Sequence, residues 1–140
     1  MRTDEITLDT SNSPVTDVTR AVQEFASATG ADGLLNVFLP HATAGVALME
    51  TGSGSEHDLE SILDNVLPRK HAYVHSHGSP GHGADHLLPV LISPSLTIPV
   101  QEGHLQLGTW QSVVIVDLNR DNPTRKLRLS ILESPDRSSS

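Results

Sequence analysis

Ser95-Leu-Thr-Ile-Pro-Val-Gln-Glu-Gly-His-Leu-Gln-Leu107, followed after four residues by Ser112-Val-Val-Ile-Val-Asp-Leu118, decides the fold. Leu96, Ile98 and Val100 alternate with polar residues, the period of a half-buried strand. Gln101-Glu-Gly103 is short enough for a hairpin connection, and His104-Leu105-Gln-Leu107 returns. Within residues 112–118 the run Val113-Val-Ile-Val116 is β-branched throughout, which predicts a central strand. Asn119-Arg-Asp-Asn-Pro-Thr124 is a turn cluster, and Lys126 to Ile131 alternates with one wet face. Hairpin connections imply antiparallel pairing.

Upstream the periods are mixed. Residues 4–10 alternate as a strand. Ser13-Pro14 reads as an N-cap followed by proline at the first helical position. Val15, Val18, Val22, Phe25 and Ala26 then recur at helical spacing up to Gly30. Leu34–Leu39 and Val46–Glu50 read as strands, and Ser55 with Asp58 as a capping box opening a helix whose face is Leu59, Ile62, Leu63 and Val66. Residues 87–91, interrupted by Pro89, fit a helix or a strand equally. The expected fold is α+β: a mainly antiparallel, β-sandwich-like sheet with two flanking helices. One domain over residues 1–134 and a disordered tail over 135–140 suit a chain of 140 residues.

Composition removes several function classes. A net charge of −8 argues against nucleic acid and anionic membranes as partners, because both demand clustered cations. No apolar run approaches the ~20 residues of a membrane span, and the first residues carry no apolar signal region, so a cytoplasmic location is expected. With no cysteine, thiolate chemistry and cysteine metal sites are excluded, and a metal must be held by His, Asp, Glu or water.

Five of the eight histidines fall in His71-Ala-Tyr-Val-His-Ser-His-Gly-Ser-Pro-Gly-His-Gly-Ala-Asp-His86. Imidazole is the commonest protein metal ligand. Three imidazoles, or two with a carboxylate, are the available catalytic-type sets, and a solvated loop is the plain alternative. His75 and His77 can chelate, and the Gly78-Ser-Pro-Gly81 turn can fold His86 back toward them. His41 lies at a strand end before a small-residue turn, a position suited to a site. On pattern alone, Glu50 reads as a surface charge and Trp110, the single tryptophan, as a core residue at a strand start. His75-x-His77 also suggests a cupin-like sandwich, but the downstream glutamate is missing at cupin spacing, Glu102 being the next.

His41-Ala-Thr-Ala-Gly45 through Glu50, Tyr73-x-His75, His86-Leu87, Ser95-Leu-Thr-Ile-Pro99 and Gly108-Thr-Trp-Gln111 stand in the order found in the YjbQ family, which this chain resembles over residues 4–133. That family is also labelled secondary thiamine-phosphate synthase. The resemblance implies a homotrimer with a metal site between subunits. His41, His75 and His86 would hold a divalent metal, zinc first among the candidates, with Glu50, Trp110 and Gln111 as catalytic residues. It implies a metal-dependent enzyme with thiamine-phosphate synthase activity as a secondary reaction, its physiological substrate unspecified. A non-catalytic trimer binding a small anionic or heterocyclic ligand is the second reading. The chain departs from the family pattern at Ser76-His77, where many relatives carry an acid, and at Ala84, a family histidine position. His77, His82 and Asp85 are the residues able to fill in as further ligands.

Overall fold

The computed structural model describes residues 1–75 and 81–135. The elements run β1 (Arg2–Asp9), β2 (Val15–Asp17), α1 (Thr19–Thr29), β3 (Gly33–Phe38), β4 (Ala44–Met49), α2 (Ser55–Val66), α3 (His82–Leu91), β5 (Ser95–Gln101), β6 (His104–Leu105), β7 (Ser112–Asp117) and β8 (Thr124–Glu133). Five strands pair in the order β1-β8-β3-β5-β6 and three in the order β2-β7-β4, all antiparallel. The fold is the expected α+β arrangement of mainly antiparallel sheets. The turn at Glu102-Gly103 has φ of 49° and 76° at its two central residues, the left-handed pair that matches strand twist in a two-residue hairpin.

β7 organises the interior. Every residue from Val113 to Asp117 is buried, as the β-branched run required. Alternate side chains point to opposite faces of a strand. Val113 and Ile115 therefore join Leu35, Val37, Ile98, Leu127, Leu129 and Ile131 of the larger sheet, with Val22 and Ala26 of α1. Val114 and Val116 meet Leu63 of α2 and Ala84 and Leu88 of α3 on the other side. Each fully buried aliphatic side chain contributes about 1.5–3 kcal/mol from area removed from water. One strand thus fastens the helical layer to the sandwich.

Four local expectations are corrected. Val15–Asp17 is not the first turn of a helix but strand β2, paired to β7. Asp117 donates its N–H to the Pro14 carbonyl at 2.9 Å. Tertiary pairing overrides the Ser-Pro start, and α1 opens at Thr19, whose N–H donates to Asp17 Oδ1 at 2.9 Å. α2 begins after Gly54 with no side-chain cap, and Glu56 rather than Asp58 reaches back, accepting from the Gly52 N–H at 2.8 Å. The helices number three among the described residues, because residues 82–91 form α3 despite Pro89. Proline lies near its C-terminal end, where it removes one helical donor without a long run of helix beyond it. The last expectation, the strand over 104–107, shortens to His104–Leu105. Residues 136–140, where the tail was expected, lie outside the described residues. Among the described residues no helix is long and apolar enough to cross a membrane.

Candidate metal centre

α3 brings the histidines together. His82 and His86 stand four residues apart in its first turns and so share a face. Ala84, Asp85 and Leu88 turn inward. His75 arrives on the segment that follows α2. The ligand nitrogens of His75, His82 and His86 all lie within 4.8 Å of one another, the first exposed and the other two half-buried. Nε2 of His82 and Nε2 of His86 are 2.8 Å apart. The rings of His75 and His86 and those of His82 and His86 meet edge-on, each pair with centroids 4.4 Å apart.

Three contacts hold the two segments in this relation. Arg69 pairs with Asp85, whose side chain is fully buried, and Nη2 donates to Oδ2 at 3.3 Å. The same guanidinium lies against Gly81 at the start of α3. Gly83 packs so closely on the other segment that a Cβ there would stand 2.7 Å from Tyr73 Cβ and 2.9 Å from the His75 carbonyl. Gly83→Ala is therefore expected to push the segment that carries His75 away from α3. Were the cluster to hold a metal, the affinity of this variant, measured by competition with a chromophoric chelator, would fall at least tenfold, an effect on the scale of losing a supporting contact. Unchanged affinity would show that this close approach is dispensable.

The third imidazole has an acidic neighbour: His82 Nδ1 is 3.7 Å from Asp121 Oδ2. Asp121 is carried there from the end of β7 by two side-chain-to-backbone turns. Asn119 donates its N–H to Asp117 Oδ1 at 3.0 Å, and Asp121 donates its N–H to Asn119 Oδ1 at 2.8 Å. Asp117 itself is held by Arg125, whose Nε donates at 2.6 Å, and by the Thr10 hydroxyl at 2.9 Å. Arg125 also donates to the Thr43 hydroxyl at 3.2 Å.

The donor set suits a borderline metal. A tetrahedral zinc site with metal–nitrogen bonds of about 2.0–2.1 Å needs nitrogens about 3.3 Å apart. The separations here, from 2.8 Å to no more than 4.8 Å, bracket that edge. Among the described residues the cluster supplies three imidazoles, the number of protein ligands that catalytic zinc sites commonly use.

The residues named from the sequence are distributed as follows. His75 and His86 are in the cluster, and His82 takes the place expected of His41. His41 is elsewhere: its Nε2 accepts the Lys126 N–H at 2.9 Å. Asp85 is engaged by Arg69. His77 lies outside the described residues. Glu50 is exposed just beyond β4. Gln111 turns back on its own loop, Oε1 accepting the Gly108 N–H at 2.8 Å. Trp110 is 73% exposed, not the core residue its strand-start position suggested. Met49 pairs with Ser112 and Ala44 with Asp117, so Glu50, Trp110 and Gln111 flank one end of β7 while Asp121 and the histidines lie by the other. The rise of a strand puts roughly 17 Å between those ends. The signal that singles out His82 is the four-residue spacing His82-Gly-Ala-Asp-His86, visible only once those residues are read as helix.

His41 has its own consequence. Burial first, and then the nearby Arg125 guanidinium, lower its pKa from 6.5. The folded chain therefore takes up this proton less readily than the unfolded chain. The His41 contribution to stability is present above the unfolded value near 6.5 and is lost as pH falls below it toward the folded value. Protonation also removes the lone pair that Lys126 uses. His41→Gln, which keeps an acceptor without titrating, should lose less of its urea midpoint between pH 7.5 and 5.5 than the parent chain does. Equal losses would remove His41 from the acid response.

The model of the family described as UPF0047 protein YjbQ-like matches residues 4–134. The UPF0047 protein Rv2556c of Mycobacterium tuberculosis is 56% identical over 133 residues, covering 95% of this chain and 99% of its own. A UPF0047 protein of Methanothermobacter thermautotrophicus is 36% identical, covering 95% of this chain and 93% of its own. Among solved structures, a hypothetical protein from Aeropyrum pernix K1 superposes with a TM-score of 0.85 at 33% identity, covering 96% of this chain and all (100%) of its own. A YbjQ-like protein of unknown function from Sulfolobus solfataricus gives a TM-score of 0.87 at 24% identity, covering 95% of this chain and 97% of its own, a likeness of fold.

Proposed function

The chain belongs to the UPF0047 YjbQ-like family, and from that premise we propose that His75, His82 and His86 form a divalent-metal centre, zinc being the first candidate, in a metal-dependent enzyme. The observation that carries the reading is the convergence of three imidazole nitrogens within 4.8 Å from two separate segments. A metal bound there would act as a Lewis acid at its open position, polarising a substrate oxygen or a water. His41 is not in this set, because the lone pair on its Nε2 is spent on the Lys126 N–H.

Thiamine-phosphate synthesis fits such a centre as a secondary activity, because expulsion of pyrophosphate calls for a cation on the leaving group. Two arginines of the neighbouring segments already have partners. Arg69 is committed to Asp85, and Arg120 donates to the Thr10 and Ser11 carbonyls. The physiological substrate is accordingly proposed as a small anion bound chiefly through the metal. We also propose the homotrimer. Ile62 and Val66 of α2 and Leu87, Val90 and Leu91 of α3 are exposed apolar side chains, and a neighbouring subunit would cover them. A neighbour is also the route by which Glu50, Trp110 and Gln111, at the far end of β7, would join the histidines.

A second reading, a non-catalytic trimer that binds a heterocyclic ligand, is favoured by the exposed indole of Trp110. Elemental analysis of untagged protein never exposed to nickel resin separates the two. About one divalent metal per chain is expected. A metal-free protein whose melting temperature still rises with ligand supports the second reading.

A further inference from the structure

We propose that Asp121 is a positioning residue of the metal centre: its carboxylate keeps the His82 proton on Nδ1, so that Nε2 offers its lone pair to the cluster. The inference rests on the metal reading above. His82 Nδ1 is a buried atom and faces Asp121 Oδ2 at 3.7 Å. Nε2 of the same ring faces His86 Nε2 at 2.8 Å. One ring nitrogen is thus turned to a carboxylate and the other into the site.

A neutral imidazole has one N–H and one lone pair, and the group beside one nitrogen decides which nitrogen carries which. An ionised carboxylate only accepts. It therefore favours the N–H at Nδ1 and leaves Nε2 as a ligand atom. The separation of 3.7 Å is wider than a direct hydrogen bond. The 2.8 Å between the two Nε2 atoms must open to about 3.3 Å in a tetrahedral zinc site, and a shift of the His82 ring toward Asp121 would both open it and close the 3.7 Å gap. Asp121 lies on the loop four residues past the end of β7 with its side chain 44% exposed, and the Asn119 and Asp117 turns fix the backbone that presents it.

The test uses the full, untagged chain and zinc itself. Long-range proton–nitrogen NMR on the metal-free protein, with His82→Gln to assign the resonance, should show the Nδ1–H form at His82. Asp121→Ala should shift that ring toward the Nε2–H form, a change that a merely structural role would not produce. Zinc affinity by chelator competition should fall by about 10–100-fold in Asp121→Ala and in Asp121→Asn, with one metal per chain still bound at saturation. Asp121→Glu should recover most of the loss. An Nε2–H form in the parent chain, or zinc affinity unchanged in Asp121→Ala, overturns the role of Asp121 while leaving the metal centre standing. Failure of the parent chain to take up zinc overturns the metal centre and this role with it.

Discussion

His82→Ala is expected to fold and to hold no stoichiometric metal. Its side chain is 15% exposed at the start of α3, but the apolar cluster beneath that helix is made by Ala84 and Leu88 and does not include it, so truncation removes a donor beside the core. Among the described residues two imidazoles of the cluster would remain, His75 and His86. Two neutral nitrogens cannot enclose a catalytic-type site that needs three protein ligands. The loss should exceed the roughly 10–100-fold that follows removal of an outer partner. His41→Ala provides the contrast, because its imidazole serves the Lys126 N–H and lies outside the cluster. Cobalt uptake followed by visible absorbance, with zinc competition, reads both. Metal bound normally by His82→Ala, or lost from His41→Ala, would return the site to the set expected from the sequence.

Asp117→Ala should destabilise the fold by about 3–5 kcal/mol, the cost of leaving a buried charge without its partner. The side chains of Arg125 and Asp117 are 4% and 1% exposed, so water replaces little of what is lost. Thr10 and the Asn119 N–H lose an acceptor in the same substitution. A loss of that size is a large fraction of the 5–15 kcal/mol that holds a typical domain together. Urea denaturation at neutral pH measures it. Replacing both partners, as Asp117→Leu with Arg125→Met, should recover much of the stability, because an apolar pair leaves no orphaned charge. A single-variant loss under about 1 kcal/mol would mean that the pair is solvated like a surface bridge. Since Asp117 anchors the turn that delivers Asp121, its loss should weaken metal binding as well.

These two results draw on features of unequal visibility in the sequence. β7 was legible because a run from Val113 to Val116 has no polar face, which only a strand buried on both sides tolerates. The Gln101-Glu-Gly103 turn and the Gly30 stop were legible because few residues tolerate left-handed backbone. β2 was hidden because Ser13-Pro14 is a local helix signal, and only pairing with β7 outweighs it. The histidine-rich stretch announced a site, yet the partners within it depended on α3. Glycines and Pro89 disguised that helix, and with it the shared face of His82 and His86. Asp121 carries no local signal at all. Its role comes from turns anchored on Asp117, whose partner Arg125 is eight residues away.

The most direct measurement is an anomalous difference map, recorded at the zinc edge, from crystals of untagged protein grown without added metal. A single peak per chain about 2.0–2.1 Å from one ring nitrogen each of His75, His82 and His86 is the predicted result. A peak bounded instead by His41, or no peak beside these three rings after soaking in zinc, would contradict it.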